Sequence, residues 1–93
     1  MSLILGQIRS NELGELMAAG LSDSKCYFTW STDGGTTWET PRLVTPDTVW
    51  GEQPGLVELP DGSLRIAVTQ QDAVRIYASE DSGENWTSVG ALT

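Results

Sequence analysis

Hydrophobic and polar positions alternate along most of this chain. From Lys25 the sequence puts Cys26, Phe28 and Trp30 on one side of an extended segment and polar or amphipathic neighbours on the other. That period of two is the signature of a β-strand. Val74, Ile76 and Ala78 repeat it, as do Leu64, Ile66 and Val68. The pattern predicts eight strands, at about 3–9, 14–20, 25–31 and 37–44, then 55–59, 63–69, 73–79 and 85–92. Turn residues separate them. Pro60-Asp61-Gly62 is a strong turn, because proline presets φ and glycine accepts a positive φ. Ser22-Asp23-Ser24 and Gln70-Gln71-Asp72 divide the second strand from the third in each half. Pro41 falls within a predicted strand, which requires that strand to be a sheet edge. Residues 10–20 (SNELGELMAAG) conflict with the scheme. Their composition suits a helix capped at Ser10 or Asn11.

The two sets of four strands are copies. Sliding the chain by 48 residues (79 − 31) pairs Gly14 with Gly62, Leu16 with Leu64, Ala19 with Ala67, Asp33 with Asp81 and Trp38 with Trp86, without a gap. The register carries residues 10–20 onto a strand, and strand is the reading preferred there, since context overrides local propensity. The units are residues 1–45 and 49–93, with a short joint between them. A period near 50 residues points to a propeller blade or a similar repeated sheet. The expected fold is all-β, a single domain of two four-stranded antiparallel blades. In a blade the fourth strand is the outer edge, in agreement with Pro41.

The strongest repeated feature is Ser-x-Asp-x-Gly-x-x-Trp, at residues 31–38 and 79–86. It lies between the third and fourth strands and has the chemistry of a turn. Asp33 and Asp81 can accept bonds from backbone N–H groups a few residues on. Gly35 and Gly83 supply conformational freedom. Ser31 and Ser79 can bond across the turn, and Trp38 and Trp86 can seal the end of each sheet. The pattern resembles the Asp-box, or BNR repeat, of the sialidase superfamily of β-propellers. That motif reads Ser/Thr-x-Asp-x-Gly-x-Thr-Trp/Phe. Residues 31–38 match it throughout, including Thr37, whereas the second copy has Asn85 at the threonine position. Residues 53–64 (QPGLVELPDGSL) also resemble the first two strands of sialidase blades. The resemblance implies a structural role for the box, on the face away from the ligand.

Size and charge narrow the picture. A repeat unit cannot bury its faces alone, and about three are normally needed. Two blades in 93 residues therefore make the chain either a fragment or a subunit that completes its core with copies of itself. The preferred expectation is a homotrimer of six blades, with four chains and eight blades as the alternative. Thirteen acids against five bases give a net charge of −8. This disfavours nucleic acid and anionic membrane surfaces. With no histidine and one cysteine, neither a metal site nor an internal disulfide is expected, and no cofactor motif is present. Cys26 reads as a small buried hydrophobe. The opening run Met-Ser-Leu-Ile-Leu is too short for a signal peptide or a membrane span. The compartment is left open.

Sialidase chemistry is not expected. The resemblance implies three arginines on the sugar carboxylate, a task suited to the guanidinium fork, together with a Tyr–Glu nucleophile and an Asp acid/base. The first arginine belongs to a Phe/Tyr-Arg-Ile-Pro motif, but Glu52 stands two before Pro54 and the first unit lacks the motif. Arg9 is several positions too late. Arg42, Arg65 and Arg75 read as solvated or inter-blade ion-pair residues, and Tyr27 and Tyr77 as packing residues. No catalytic residue is assigned. Another glycosidase would need two carboxylates about 5–10 Å apart, for which Asp23, Glu52 and Asp72 are the loop candidates. In sialidase-like propellers the ligand sits on the face of the second-to-third-strand loops and the inter-blade joint. That face predicts a binding set of Trp50, Glu52, Gln53, Gln70, Asp72 and Asp23. Trp50 has no counterpart in the first unit, where Ser2 stands. Tryptophan beside carboxylates and amides suits a neutral sugar. The expected function is a non-catalytic, lectin-like propeller module. A fragment or relative of a sialidase or other glycoside hydrolase, and a protein-interaction scaffold, are the alternatives.

Overall fold

The computed structural model describes residues 4–10, 14–50, 54–70 and 73–92, with side chains from Ser10 to Ala91 within those ranges. Eight strands run in chain order: β1 Ile4–Ser10, β2 Leu16–Ser22, β3 Lys25–Ser31, β4 Arg42–Thr45, β5 Gly55–Glu58, β6 Leu64–Thr69, β7 Val74–Ser79 and β8 Thr87–Leu92. They form two antiparallel meanders, β1-β2-β3-β4 and β5-β6-β7-β8. No helix occurs among the described residues. The helical composition of residues 10–20 gives way to strand at both ends. β1 closes at Ser10 opposite Leu16, and β2 pairs along its whole length with β3. Residues 11–13 lie outside the described set.

Strand four is shorter than its expected span of 37–44. Pairing with β3 begins where the Glu39 N–H donates to the Trp30 carbonyl at 2.9 Å. Pro41 has no N–H to continue the ladder, so β4 starts only at Arg42. Trp38 and Trp86 accordingly precede the outer strands and do not open them.

Packing follows from register. Directly opposed residues of an antiparallel pair share a face. Met17, Ala19 and Leu21 thus lie with their partners Trp30, Phe28 and Cys26 on one face of the first blade. Leu56, Ile66 and Tyr77 align on one face of the second, alongside Leu64 and Val68. These two near faces meet and form the core, which also takes in Val44 and Val49. Cys26 is fully buried there, and burial pushes its thiol up to about 12, so it behaves as an apolar group.

The far faces differ. On the first blade, small buried residues such as Ala18 and Thr29 sit beside half-buried Leu16 and Tyr27, with exposed Leu43 opposite Tyr27. On the second, Val74 and Ile76 are half-buried and Val57 is exposed. The 48-residue register maps the first blade's near face (Met17, Cys26, Phe28, Trp30) onto the second blade's far face (Arg65, Val74, Ile76, Ala78). One kind of surface is therefore covered in the first blade and uncovered in the second.

Candidate functional site

The repeated turns are two equivalent hydrogen-bonded knots. In the first, the Ser31 hydroxyl donates to Asp33 Oδ1 at 2.8 Å and accepts the Gly35 N–H at 2.9 Å. Asp33 Oδ1 also takes the Thr37 N–H at 2.9 Å, and Oδ2 takes the Thr37 hydroxyl at 2.5 Å. The second copy reproduces these distances with Ser79, Asp81 and Gly83. Where threonine is missing, the Asn85 N–H donates to Asp81 Oδ1 at 2.9 Å and its side-chain amide to Oδ2 at 2.8 Å. Asparagine therefore supplies the second donor by another chemical group. Both carboxyls are held down to about 2, first by the side-chain donor (Thr37 or Asn85) and then by the backbone N–H of the same residue. With every oxygen occupied by turn donors, these carboxylates act as structural acceptors.

The same end of the molecule holds contacts the sequence does not signal. The Phe28 ring lies 5.3 Å from Trp86 and 6.0 Å from Trp30, centroid to centroid. Gly83, at φ +94°, lies against that ring, and a β-carbon there would run into it. Arg42 stands 5.1 Å over the Trp30 ring and pairs with Glu84 at 2.9 Å, which clasps one blade to the other. The repeat offered no hint of this clasp, because Arg42 is matched by Gly90 and Glu84 by Thr36. A cleft of about 500 Å³ opens between the blades here, lined by Met17, Trp30, Leu64 and the acids Glu15, Glu58 and Glu84 among others.

The joint lies at the opposite end. There the Val49 N–H donates to the Ser24 carbonyl at 2.7 Å and the Trp50 N–H to the Thr69 carbonyl at 2.8 Å. The joint is thereby stitched to the β2–β3 turn of one blade and to the end of β6 in the other. Its two residues point opposite ways: Val49 is 3% exposed and Trp50 56% exposed. More than half of the Trp50 surface is therefore open to solvent. Asp23 and Ser24, at φ 52° and 61°, form the β2–β3 turn. Positive φ at both central residues is the type I′ hairpin geometry, and aspartate tolerates that region better than most residues. Asp23 is exposed beside the joint. Gln70 is turned inward. It is 8% exposed, its backbone closes the β6–β7 turn with Ala73, and its side-chain amide lies 3.4 Å from the Tyr77 hydroxyl. The structure thus gathers Asp23, Trp50 and Gln70 at one end, with Gln70 beneath the surface. Glu52, Gln53 and Asp72 lie outside the described residues.

Two of the arginines, Arg42 and Arg65, occupy structural positions. Arg65 pairs with Glu80 at 3.5 Å within its own blade, and Arg42 forms the clasp. Among the described residues no three His, Cys, Asp or Glu side chains come together as metal ligands would.

Neither a protein-family model nor a curated protein sequence matches the chain. Solved structures do. A NanB sialidase from Streptococcus pneumoniae superposes with a TM-score of 0.79 at 24% identity, over 99% of this chain and 15% of that one. A leech intramolecular trans-sialidase, complexed with 2,7-anhydro-Neu5Ac, superposes with a TM-score of 0.62 at 30% identity, over 94% of this chain and 14% of that one. The chain thus spans about one seventh of the length of the sialidases it matches. In fold, the chain is a pair of sialidase-type β-propeller blades.

Proposed function

We propose that this chain is a non-catalytic, sialidase-like propeller module that binds a neutral glycan at the joint end. It works as a ring of copies, with three chains giving six blades and four giving eight as the alternative. The observation that carries the binding reading is Trp50, more than half exposed on a joint that two main-chain hydrogen bonds hold in place. An exposed indole on a held main chain gives a sugar's C–H face an apolar platform. Asp23, exposed in the β2–β3 turn at the same end, offers an acceptor for hydroxyls. Gln70 supports the floor through Tyr77, and Glu52, Gln53 and Asp72 are the remaining members of the proposed set by sequence. A net charge of −8 disfavours anionic sugars and leaves neutral ones. In a ring, one weak site per chain becomes several, and avidity raises the effective affinity. The test is a glycan array with wild type and Trp50→Ala. Binding by wild type that falls at least tenfold in the variant is expected. No binding, or equal binding by both, refutes the reading.

The likeness to much longer sialidases favours a second reading, in which the chain is a piece of a sialidase or other glycoside hydrolase. Turnover of a fluorogenic sialoside by the chain would support it. Glu52 where the arginine motif has its arginine predicts none. A scaffold that binds protein without a small ligand is the third reading.

A further inference from the structure

The contact inside the pair is a template for a contact between pairs. Phe28 on β3 receives the Gly83 turn and Trp86 of the next blade. The 48-residue register places Ile76 of β7 where Phe28 stands, and Gly35 and Trp38 where Gly83 and Trp86 stand. In one chain these two groups sit on opposite far sides and do not meet each other; the Gly35 turn lies against Leu16 of its own blade. Ile76 is only half-buried, and Trp38 is 39% exposed, whereas Trp86 is packed against the core.

Charge agrees with the docking. Met17 and Asp81 line the same inter-blade cleft. Their counterparts are Arg65 and Asp33, so a docked copy would bring a guanidinium and a carboxylate to one cleft. The acids Glu15, Glu58 and Glu84 of the internal cleft map to Ser63, Ser10 and Thr36. The cleft between copies thus exchanges three acids for hydroxyls and places the Arg65 end of the Arg65–Glu80 pair opposite Asp33. An acidic chain that must approach another copy of itself needs that kind of local exception.

From this we infer that the partner of β7's far face is a second copy of this chain, docked head to tail. Ile76 of one copy packs on Trp38 and the Gly35 turn of the next, with Arg65 facing Asp33. The inference rests on the ring reading and names its interface. A heterologous contact of this kind closes into a ring when its rotation divides the circle.

The experiment is light scattering of the full chain as wild type, Ile76→Glu, Trp38→Glu and an equimolar mixture of the two variants. Far-UV circular dichroism accompanies it to confirm folding. Wild type is expected at a small multiple of 10.0 kDa, three being favoured. Each variant has one spoiled face and is expected at the mass of one chain. The mixture is expected at twice the chain mass, because one intact Ile76 face can still meet one intact Trp38 edge. A monomeric wild type overturns both the ring and the interface. An oligomeric wild type whose folded variants keep its mass leaves the ring standing and overturns this interface. So does a mass lost through one variant alone, which marks a two-fold contact. If a variant unfolds, disulfide trapping of Ile76→Cys with Thr36→Cys in the Cys26→Ala background decides. A cross-link between copies supports the contact, and its absence refutes it. Glycan binding by Trp50 is read separately on the monomeric variants.

Discussion

Asp33 and Asp81 show how much of a turn one side chain can organise. Each accepts from a serine hydroxyl, a backbone N–H and one further side chain. The sequence made the aspartates, serines and glycines readable as turn chemistry. It did not show that Asn85 fills the role of Thr37, because a motif records residue types and the turn requires only a donor within reach. Both carboxyls are held to about 2, below the ordinary aspartate value of about 3.9. A carboxyl lowered in the folded state stabilises the fold above its unfolded value, and this contribution disappears as pH falls through the folded value. The window is therefore about pH 4 to 2. Urea midpoints measured from pH 7 to 2 are expected to fall across it. Asp33→Asn and Asp81→Asn should be less stable than wild type at pH 7 and converge on it near pH 2. A gap that stays constant with pH would count against the carboxylates.

At the scale of elements, the strands were the most legible part. β3 falls on the residues its alternation predicts, because both of its edges are paired and its large apolar side chains share one face. Strand four was overdrawn at its start, since the expected span ran through Pro41 but the hydrogen-bonded ladder does not. The residues that join the blades were invisible for another reason: the two copies use them differently. Gly35 and Gly83 occupy the same motif position, at φ +98° and +94°. A methyl group at Gly35 would meet Leu16 at 3.4 Å, whereas at Gly83 it would enter the Phe28 ring. Alanine at either site incurs a left-handed backbone cost of about 1–2 kcal/mol. Gly83→Ala adds overpacking of about 1–3 kcal/mol. Denaturation of the two variants should therefore show Gly83→Ala as clearly the worse. Equal losses would mean that Phe28 yields freely.

For the whole molecule, the question is what holds two sheets as one body. The apolar core does most of this, and the Arg42–Glu84 clasp adds a directional contact. Its side chains are 31% and 53% exposed, so solvent screens it. A double-mutant cycle over Arg42→Ala and Glu84→Ala should return a coupling of about 0.5 kcal/mol, shrinking at 1 M salt. A coupling that does not respond to salt would point to packing on Trp30 instead. The candidate sugar site was legible only as a place. The joint and the second-to-third-strand turns were predictable from the repeat, but the inward turn of Gln70 depends on Tyr77, a contact across a hairpin that no local pattern marks.

The order of the strands also bears on how the chain is made. Every strand pairs with a neighbour in sequence, so the first sheet can zip up while the second is still being synthesised. Its Phe28 side cannot be sealed at that stage. The cover includes Gly83 and Trp86, which follow the whole first sheet in the chain. Until they emerge, a finished sheet presents Met17, Phe28 and Trp30 to water. Synthesis therefore passes through a half-built state that displays the near face of the first blade, and a nascent neighbour could occupy that face before the chain's own second blade does.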